Sequence, residues 1–252
     1  MREYYDLWPR FVATLSPQAR VKESVRKAAL HLADRWLLTH NVTEVIAQSR
    51  TIQERLRNDL GVTSDVLHPP PPLSGYGCDE YGDFIFAVSR LTPLKRLDLF
   101  IRALAEPSAA GVKAVIAGEG DARGALEALA ASLSVTSRVT FLGRISDAAM
   151  LDHLARCRAV CFTPLDEDYG FVTAEAFASA KAVVTCRDSG GPAELVRDEH
   201  TGLLCDPTPG SVALALARLT DDRALAERLG GRAKAHAATM SWPAAIARLV
   251  IV

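Results

Sequence analysis

Residues 159–177 read AVCFTPLDEDYGFVTAEAF. The first six residues are a short apolar run, the pattern of a buried strand. From Phe171 the spacing of apolar residues predicts a helix to about Ala180. Tyr169-Gly170-Phe171 breaks the chain between them. A strand that turns into a helix is the repeating unit of a parallel α/β sheet. Two glutamates, Glu167 and Glu175, flank the turn with seven residues between them. One precedes the helix and the other lies about one turn inside it.

The same alternation extends both ways along the chain. FIFAVS (84–89), VKAVIAG (112–118) and RVTFLG (138–143) read as earlier strands, and AVVTC (182–186) and GLLCD (202–206) as later ones. Helical spacing falls at Leu94–Leu104 and Ala122–Leu133, and after Asp147, which could cap a helix to about Arg156. Three helical stretches close the chain. The expected fold is α/β, a doubly wound parallel sheet over residues 83–252.

Pro69-Pro70-Pro71-Pro72 opens a proline- and glycine-rich segment, 69–82. It reads as a hinge linker, because four prolines favour an extended polyproline II path. Residues 1–68 form an incomplete second α/β segment. Gln18–Leu38 is one long helical pattern, VTEVIAQ (42–48) and VTSDVLH (62–68) read as strands, and Thr51-x-x-Glu54 resembles a capping box. Two strands are fewer than a buried parallel sheet normally has. Exposed apolar surface is therefore predicted on residues 1–68.

The totals fit an ordinary globular protein. Of 252 residues, 49% are hydrophobic and 23% charged. A net charge of −1 gives no overall field for nucleic acid. Five cysteines without a Cys-x-x-Cys pair read as reduced, mostly buried thiols. With no apolar signal segment at the N-terminus, the expected location is cytoplasmic. The helix over Gln18–Leu38 bears Arg20, Lys22, Arg26, Lys27, His31 and Arg35. It reads as a helix of the first segment, with peripheral contact at the inner membrane face as the alternative.

Ligands of doubly wound sheets bind beyond the carboxyl ends of the strands. Those loops hold Arg90 and Lys95 in SRLTPLKR, Gly118 and Gly120 in GEG, Arg144-Ile145, DEDYGF, and Gly190-Gly191 in DSGGPAE. A helix starting at Gly170-Phe171 presents free N–H groups and a positive dipole end to a phosphate. A glutamate beside a phosphate is repelled unless it faces hydroxyls. Glu175 and Glu167 on opposite sides therefore ask for hydroxyls, diphosphate, then hydroxyls, with Arg90 and Lys95 neutralising the diphosphate. Two rivals are weaker. Asp166-Glu167-Asp168 is an Asp-x-Asp triplet of the metal-binding kind, but no metal is expected in this strand–turn–helix context. AGEGDARG follows a strand, yet its glycines miss the dinucleotide spacing by one residue.

DEDYGFVTAEAF resembles the Glu–seven–Glu motif of retaining glycosyltransferases of the GT-B fold, family four. SRLTPLKR resembles that family's diphosphate clamp. IAGEGD, VTFLGRIS, DSGGPAELV and HTGLLCDP follow in the family's order, and AQSRTIQERL, VLHPPPP and MSWPAAIARL resemble its hinge region and closing helix. The resemblance covers about residues 40–252. It implies a nucleotide-diphosphate sugar as donor substrate, no cofactor, and a glycan or lipid-linked acceptor. It also implies that Glu175 binds ribose and Glu167 the donor sugar, with Glu167, Arg90 and Lys95 carrying the catalytic roles. The backbone at Gly170, Phe171 and Val172 would hold phosphate, with the base near Arg144-Ile145 and the Gly190-Gly191 turn close to sugar and phosphates. Residues 1–68 would be the remnant of an acceptor-side domain that needs roughly 150 residues. A truncated chain, or a partner chain that completes it, is therefore expected. A nucleotide-sugar-binding module without turnover and a nucleotide-sugar epimerase are the alternative functions.

Overall fold

The computed structural model describes residues 2–250. The chain divides into two compact units, Met1–His68 and Pro69–Val252.

The first unit holds helices α1 (Trp8–Ala13) and α2 (Pro17–His40), strand β1 (Ile46–Ala47), helix α3 (Arg50–Arg55) and strand β2 (Asp65–Val66). Ser16 caps α2 by accepting from the Ala19 N–H, and Pro17 fits the first turn, where no N–H is needed. No α2 residue is buried. Val21, Val25, Leu32, Trp36 and Leu37 are exposed along it, so the apolar surface predicted for this segment is present. Its other face carries Glu23 and Asp34, which accept from the Tyr4 and Tyr5 hydroxyls. β1 and β2 pair in parallel over two residues each, shorter than the predicted strands. Each has one partner, and a lone pair of strands gives its backbone little to extend along. Ser49, not Thr51, caps α3, its hydroxyl accepting from the Ile52 N–H at 3.1 Å. The helix begins one residue before the predicted cap.

The second unit is a six-stranded parallel sheet covered by helices. Its elements are β3 (Phe84–Val88), α4 (Leu97–Leu104), β4 (Lys113–Ala117), α5 (Arg123–Ser132), β5 (Val139–Gly143), α6 (Asp147–Arg156), β6 (Ala159–Cys161), α7 (Phe171–Ala178), β7 (Val183–Cys186), α8 (Gly191–Leu195), β8 (Gly202–Cys205), α9 (Pro209–Asp221), α10 (Arg223–Ala237) and α11 (Trp242–Leu249). The strand order is β5-β4-β3-β6-β7-β8, all parallel. The doubly wound sheet read from the sequence is thus the fold.

Side chains alternate across the sheet and seed two cores. Ile85 and Ala87 point into a cluster with Phe100, Ile101 and Leu104 of α4 and Val212 and Leu216 of α9. Phe86, Val160 and Val183 point the other way, against Leu154 of α6, Phe177 of α7 and Ala233 of α10. Phe86 and Phe177 are fully buried, and burying such a side chain stabilises by about 1.5–3 kcal/mol. Phe177→Ala would leave a cavity costing about 3–5 kcal/mol.

The chain winds outward from β3 to β5, then returns to place β6 on the other side of β3. The β3/β6 boundary is therefore the switch point, where a crevice opens at the strand ends. Two helix starts differ from the sequence reading. Ser146, not Asp147, caps α6, accepting from the Ala149 N–H at 3.2 Å. The stretch from Leu94 is not one helix. Pro93–Lys95 is a 3-10 turn, and Arg96 then takes a left-handed conformation, φ 49°, before α4 begins at Leu97. Apolar spacing cannot signal such a break.

Candidate functional site

The loops leaving β3 and β6 meet at the switch point. The 3-10 turn delivers Lys95, whose Nζ lies 2.6 Å from Glu167 Oε2. Its ammonium also lies 5.5 Å from the Phe162 ring centre. Both partners of the ion pair are mostly buried.

The DEDYGF loop is fixed by backbone pairing to the loop after β7. Asp166 N donates to Asp188 O, Glu167 N to Ser189 O, and Gly191 N to Glu167 O, each at 2.9 Å. Gly190 makes this approach possible. Its φ is +70°, and a Cβ there would stand 2.4 Å from Glu167 O. Gly118 and Gly120 serve a related purpose. They press against the carbonyls of Ser89 and Leu91 beside Arg90.

Gly170, at φ +80°, turns the chain into α7, and its missing side chain makes room for Pro192 and Phe162. No side chain caps α7. Thr173 N bonds back to Gly170 O, but the Phe171 and Val172 N–H groups have no acceptor among the described residues. Two unsatisfied donors and the positive dipole end therefore lie together at the Gly170 turn. An anion there meets no competing side-chain cap.

Glu175 lies one turn further in and is buried. Its Oε1 accepts from the Tyr76 hydroxyl at 3.2 Å. Burial pushes the carboxyl up from the ordinary glutamate value, and Asp147 adds to that, while the Tyr76 bond opposes it.

Arg90 is exposed, and its side chain makes no hydrogen bond among the described residues. Arg144 is exposed after β5. Ile145 packs on the apolar cluster that Val172 and Tyr76 also border. Lys95, Glu167, Gly170, Gly190 and Gly191 therefore meet, with Glu175 one helical turn inward.

Sequence reasoning missed three residues. Arg96 donates to Thr163 O at 2.8 Å, to Pro164 O at 2.7 Å and to both oxygens of Asp188 at 2.7 Å. It ties the loops after β3, β6 and β7 together. Arg96 and Asp188 both sat inside quoted motifs, but a bidentate pair 92 residues apart leaves no mark in spacing. Tyr76 was hidden in the hinge for the same reason.

Comparison with known proteins gives the family. Residues 76–236 match the family described as glycosyl transferases group 1. A D-inositol 3-phosphate glycosyltransferase of Nocardia farcinica is 37% identical over 166 residues, covering 62% of this chain and 36% of the relative. An uncharacterized glycosyltransferase of Methanocaldococcus jannaschii, MJ1607, is 31% identical over 160 residues, covering 63% and 41%. The chain thus spans about two fifths of the length of these curated relatives. Among solved structures, Anabaena Alr3699/HepE in complex with UDP and glucose superposes with a TM-score of 0.73 at 23% identity, over 87% of this chain and 65% of that one. Sucrose-phosphate synthase of Thermosynechococcus elongatus superposes with a TM-score of 0.77 at 21% identity, over 94% and 62%. The fold is that of GT-B glycosyltransferases, and the chain belongs to the glycosyl transferases group 1 family.

Proposed function

We propose that the second unit is the donor-binding half of a retaining glycosyltransferase of family four, using a nucleotide-diphosphate sugar. The observation that carries this reading is the uncapped start of α7 at the switch point. It leaves the Phe171 and Val172 N–H groups available to an anion, with the Lys95–Glu167 pair in the loops that precede the helix and Glu175 buried one turn inside it.

The chemistry follows from charge. The diphosphate takes the two N–H donors and the Lys95 ammonium, with exposed Arg90 closing from the β3 loop. Each hydrogen bond to a charged group contributes roughly 1.5–3 kcal/mol. Lys95 then exchanges its present carboxylate partner for phosphate oxygens. Glu167, released, accepts from the sugar hydroxyls, and Glu175 accepts from the ribose. As the bond from sugar to phosphate breaks, negative charge grows on the departing diphosphate, where the cation and the helix end stabilise it most. The departing phosphate takes the acceptor's proton, and no metal or cofactor is assigned.

Residues 1–68 are assigned to the acceptor-side domain, and 69–82 to the hinge. Because the chain spans about two fifths of its curated relatives, transfer to a glycan or lipid-linked acceptor is proposed for the whole enzyme.

Calorimetric titration with UDP, GDP and ADP and their hexose derivatives tests this. UDP comes first, since HepE was solved with it. Binding with slow release of the sugar supports the transferase. Binding without hydrolysis or transfer marks a donor-holding module, and conversion of the free nucleotide sugar to its epimer marks an isomerase. No binding to any of the three nucleotides contradicts the assignment.

A further inference from the structure

The segment 69–76 is fastened at both ends of the α7 start. Pro69 O accepts from the Tyr169 hydroxyl at 2.7 Å, one residue before Gly170. Tyr76 hydrogen-bonds Glu175, four residues after Phe171. The Tyr76 phenol is itself held, since it accepts from the Leu73 N–H at 3.3 Å. Its ring packs on the cluster that includes Phe86, Leu154 and Phe177. The two oxygens of Glu175 are consequently unlike. Oε1 is occupied by Tyr76. Oε2 has no hydrogen bond among the described residues, and it is not one of the sealed, unsatisfied buried atoms. One oxygen is held by the phenol, and the other is unpaired and not fully sealed.

We infer that Tyr76 is a positioning and specificity residue of the nucleoside subsite: it fixes the Glu175 carboxylate through Oε1 so that Oε2 alone is presented to a ribose hydroxyl. This rests on the proposed nucleotide site and adds what makes that site choose a ribonucleotide. A buried carboxylate with one fixed oxygen loses little freedom when a hydroxyl binds the other. A site built to accept from a hydroxyl rejects the analogue that lacks it. Without the phenol, the Glu175 carboxylate is no longer fixed, and Oε1 joins Oε2 as an unpaired acceptor. The phenol is suited to the task, because burial and the Glu175 charge both hold its proton on.

The test compares UDP with 2′-deoxy-UDP and 3′-deoxy-UDP on the wild type, Tyr76→Phe and Glu175→Gln. Phenylalanine keeps the ring packing, and each protein's own UDP affinity reports an intact phosphate site. The wild type is expected to bind UDP roughly tenfold or more tightly than at least one deoxy analogue. Tyr76→Phe is expected to keep UDP binding within about tenfold of wild type and to lose most of that discrimination. Discrimination unchanged in Tyr76→Phe but lost in Glu175→Gln overturns the role of Tyr76 alone and leaves the nucleotide site standing. No discrimination in the wild type also overturns it. Failure of the wild type to bind UDP, GDP or ADP removes the nucleotide site and this inference together.

Discussion

Lys95 and Glu167 stand 72 residues apart in sequence and 2.6 Å apart in space. Each is the other's partner before any ligand arrives. In the proposed binding mode a diphosphate takes Lys95 from Glu167, so the existing pair opposes binding. Lys95→Ala is expected to weaken UDP binding about 10- to 100-fold. Glu167→Gln is expected to leave UDP binding equal or a few-fold tighter, because Lys95 is freed, while sugar release from the full donor is lost. Calorimetry on the two variants checks both. A Glu167→Gln variant that loses UDP affinity as severely as Lys95→Ala would contradict the exchange.

Arg96 holds three loops with four hydrogen bonds from a left-handed backbone. Alanine there loses the bonds and keeps the backbone strain, whereas glycine loses the bonds and relieves it. The expected stability order is Arg96, then Arg96→Gly, then Arg96→Ala. Arg96→Ala should cost about 1–3 kcal/mol. Urea midpoints of the three proteins measure this, and equal midpoints would show that the tie contributes nothing.

Glu175 gives a pH dependence of known sign. Its folded-state carboxyl titrates above the ordinary 4.5, chiefly through burial. For stability, the protonated form is favoured. That contribution is fully present below the unfolded value and is lost as pH rises through the folded one. In the proposed ribose contact the charged form is the acceptor, so affinity is expected to fall as pH drops through the raised carboxyl value. The phosphate of UDP titrates nearby and contributes its own slope. The check is the difference between wild type and Glu175→Gln, in which the carboxyl's share of the acid limb should vanish.

Ala180 sits at φ +55° just after α7. A non-glycine residue there is strained by about 1–2 kcal/mol, partly offset by the lower unfolded-state entropy of alanine. Ala180 is buried, so Ala180→Gly also loses about 0.8 kcal/mol of methyl burial. Its expected gain is at most roughly 0.5 kcal/mol, seen as a thermal midpoint at or slightly above wild type without change in UDP affinity. A clearly lower midpoint would show that the strain is small.

The sheet was legible because its strands are short apolar runs, each closed by glycine, proline or a polar turn. FIFAV and KAVIA fall where their pattern places them. Helix starts were less legible. A serine and a threonine or aspartate one or two residues apart are equivalent caps by type, and only geometry chose Ser49 and Ser146. At the site, Lys95 and Glu167 were each readable as strand-end residues, but their mutual pairing was not. The Arg96–Asp188 and Tyr76–Glu175 pairs join loops distant in sequence. No local periodicity encodes a contact between a hinge tyrosine and a helix 99 residues later. The strands β1 and β2 are shorter than their sequence pattern because β-branched residues suit an extended chain whether or not a neighbour is there to pair.

The most direct measurement of the account is an amide NMR titration of the labelled protein with UDP. The Phe171 and Val172 N–H signals should move furthest and to lower field, as expected for new hydrogen bonds to phosphate oxygens about 3 Å away, with the Lys95 side chain shifting alongside them. Saturation with UDP that leaves residues 171 and 172 unmoved, while signals elsewhere change, would contradict a diphosphate at the start of α7.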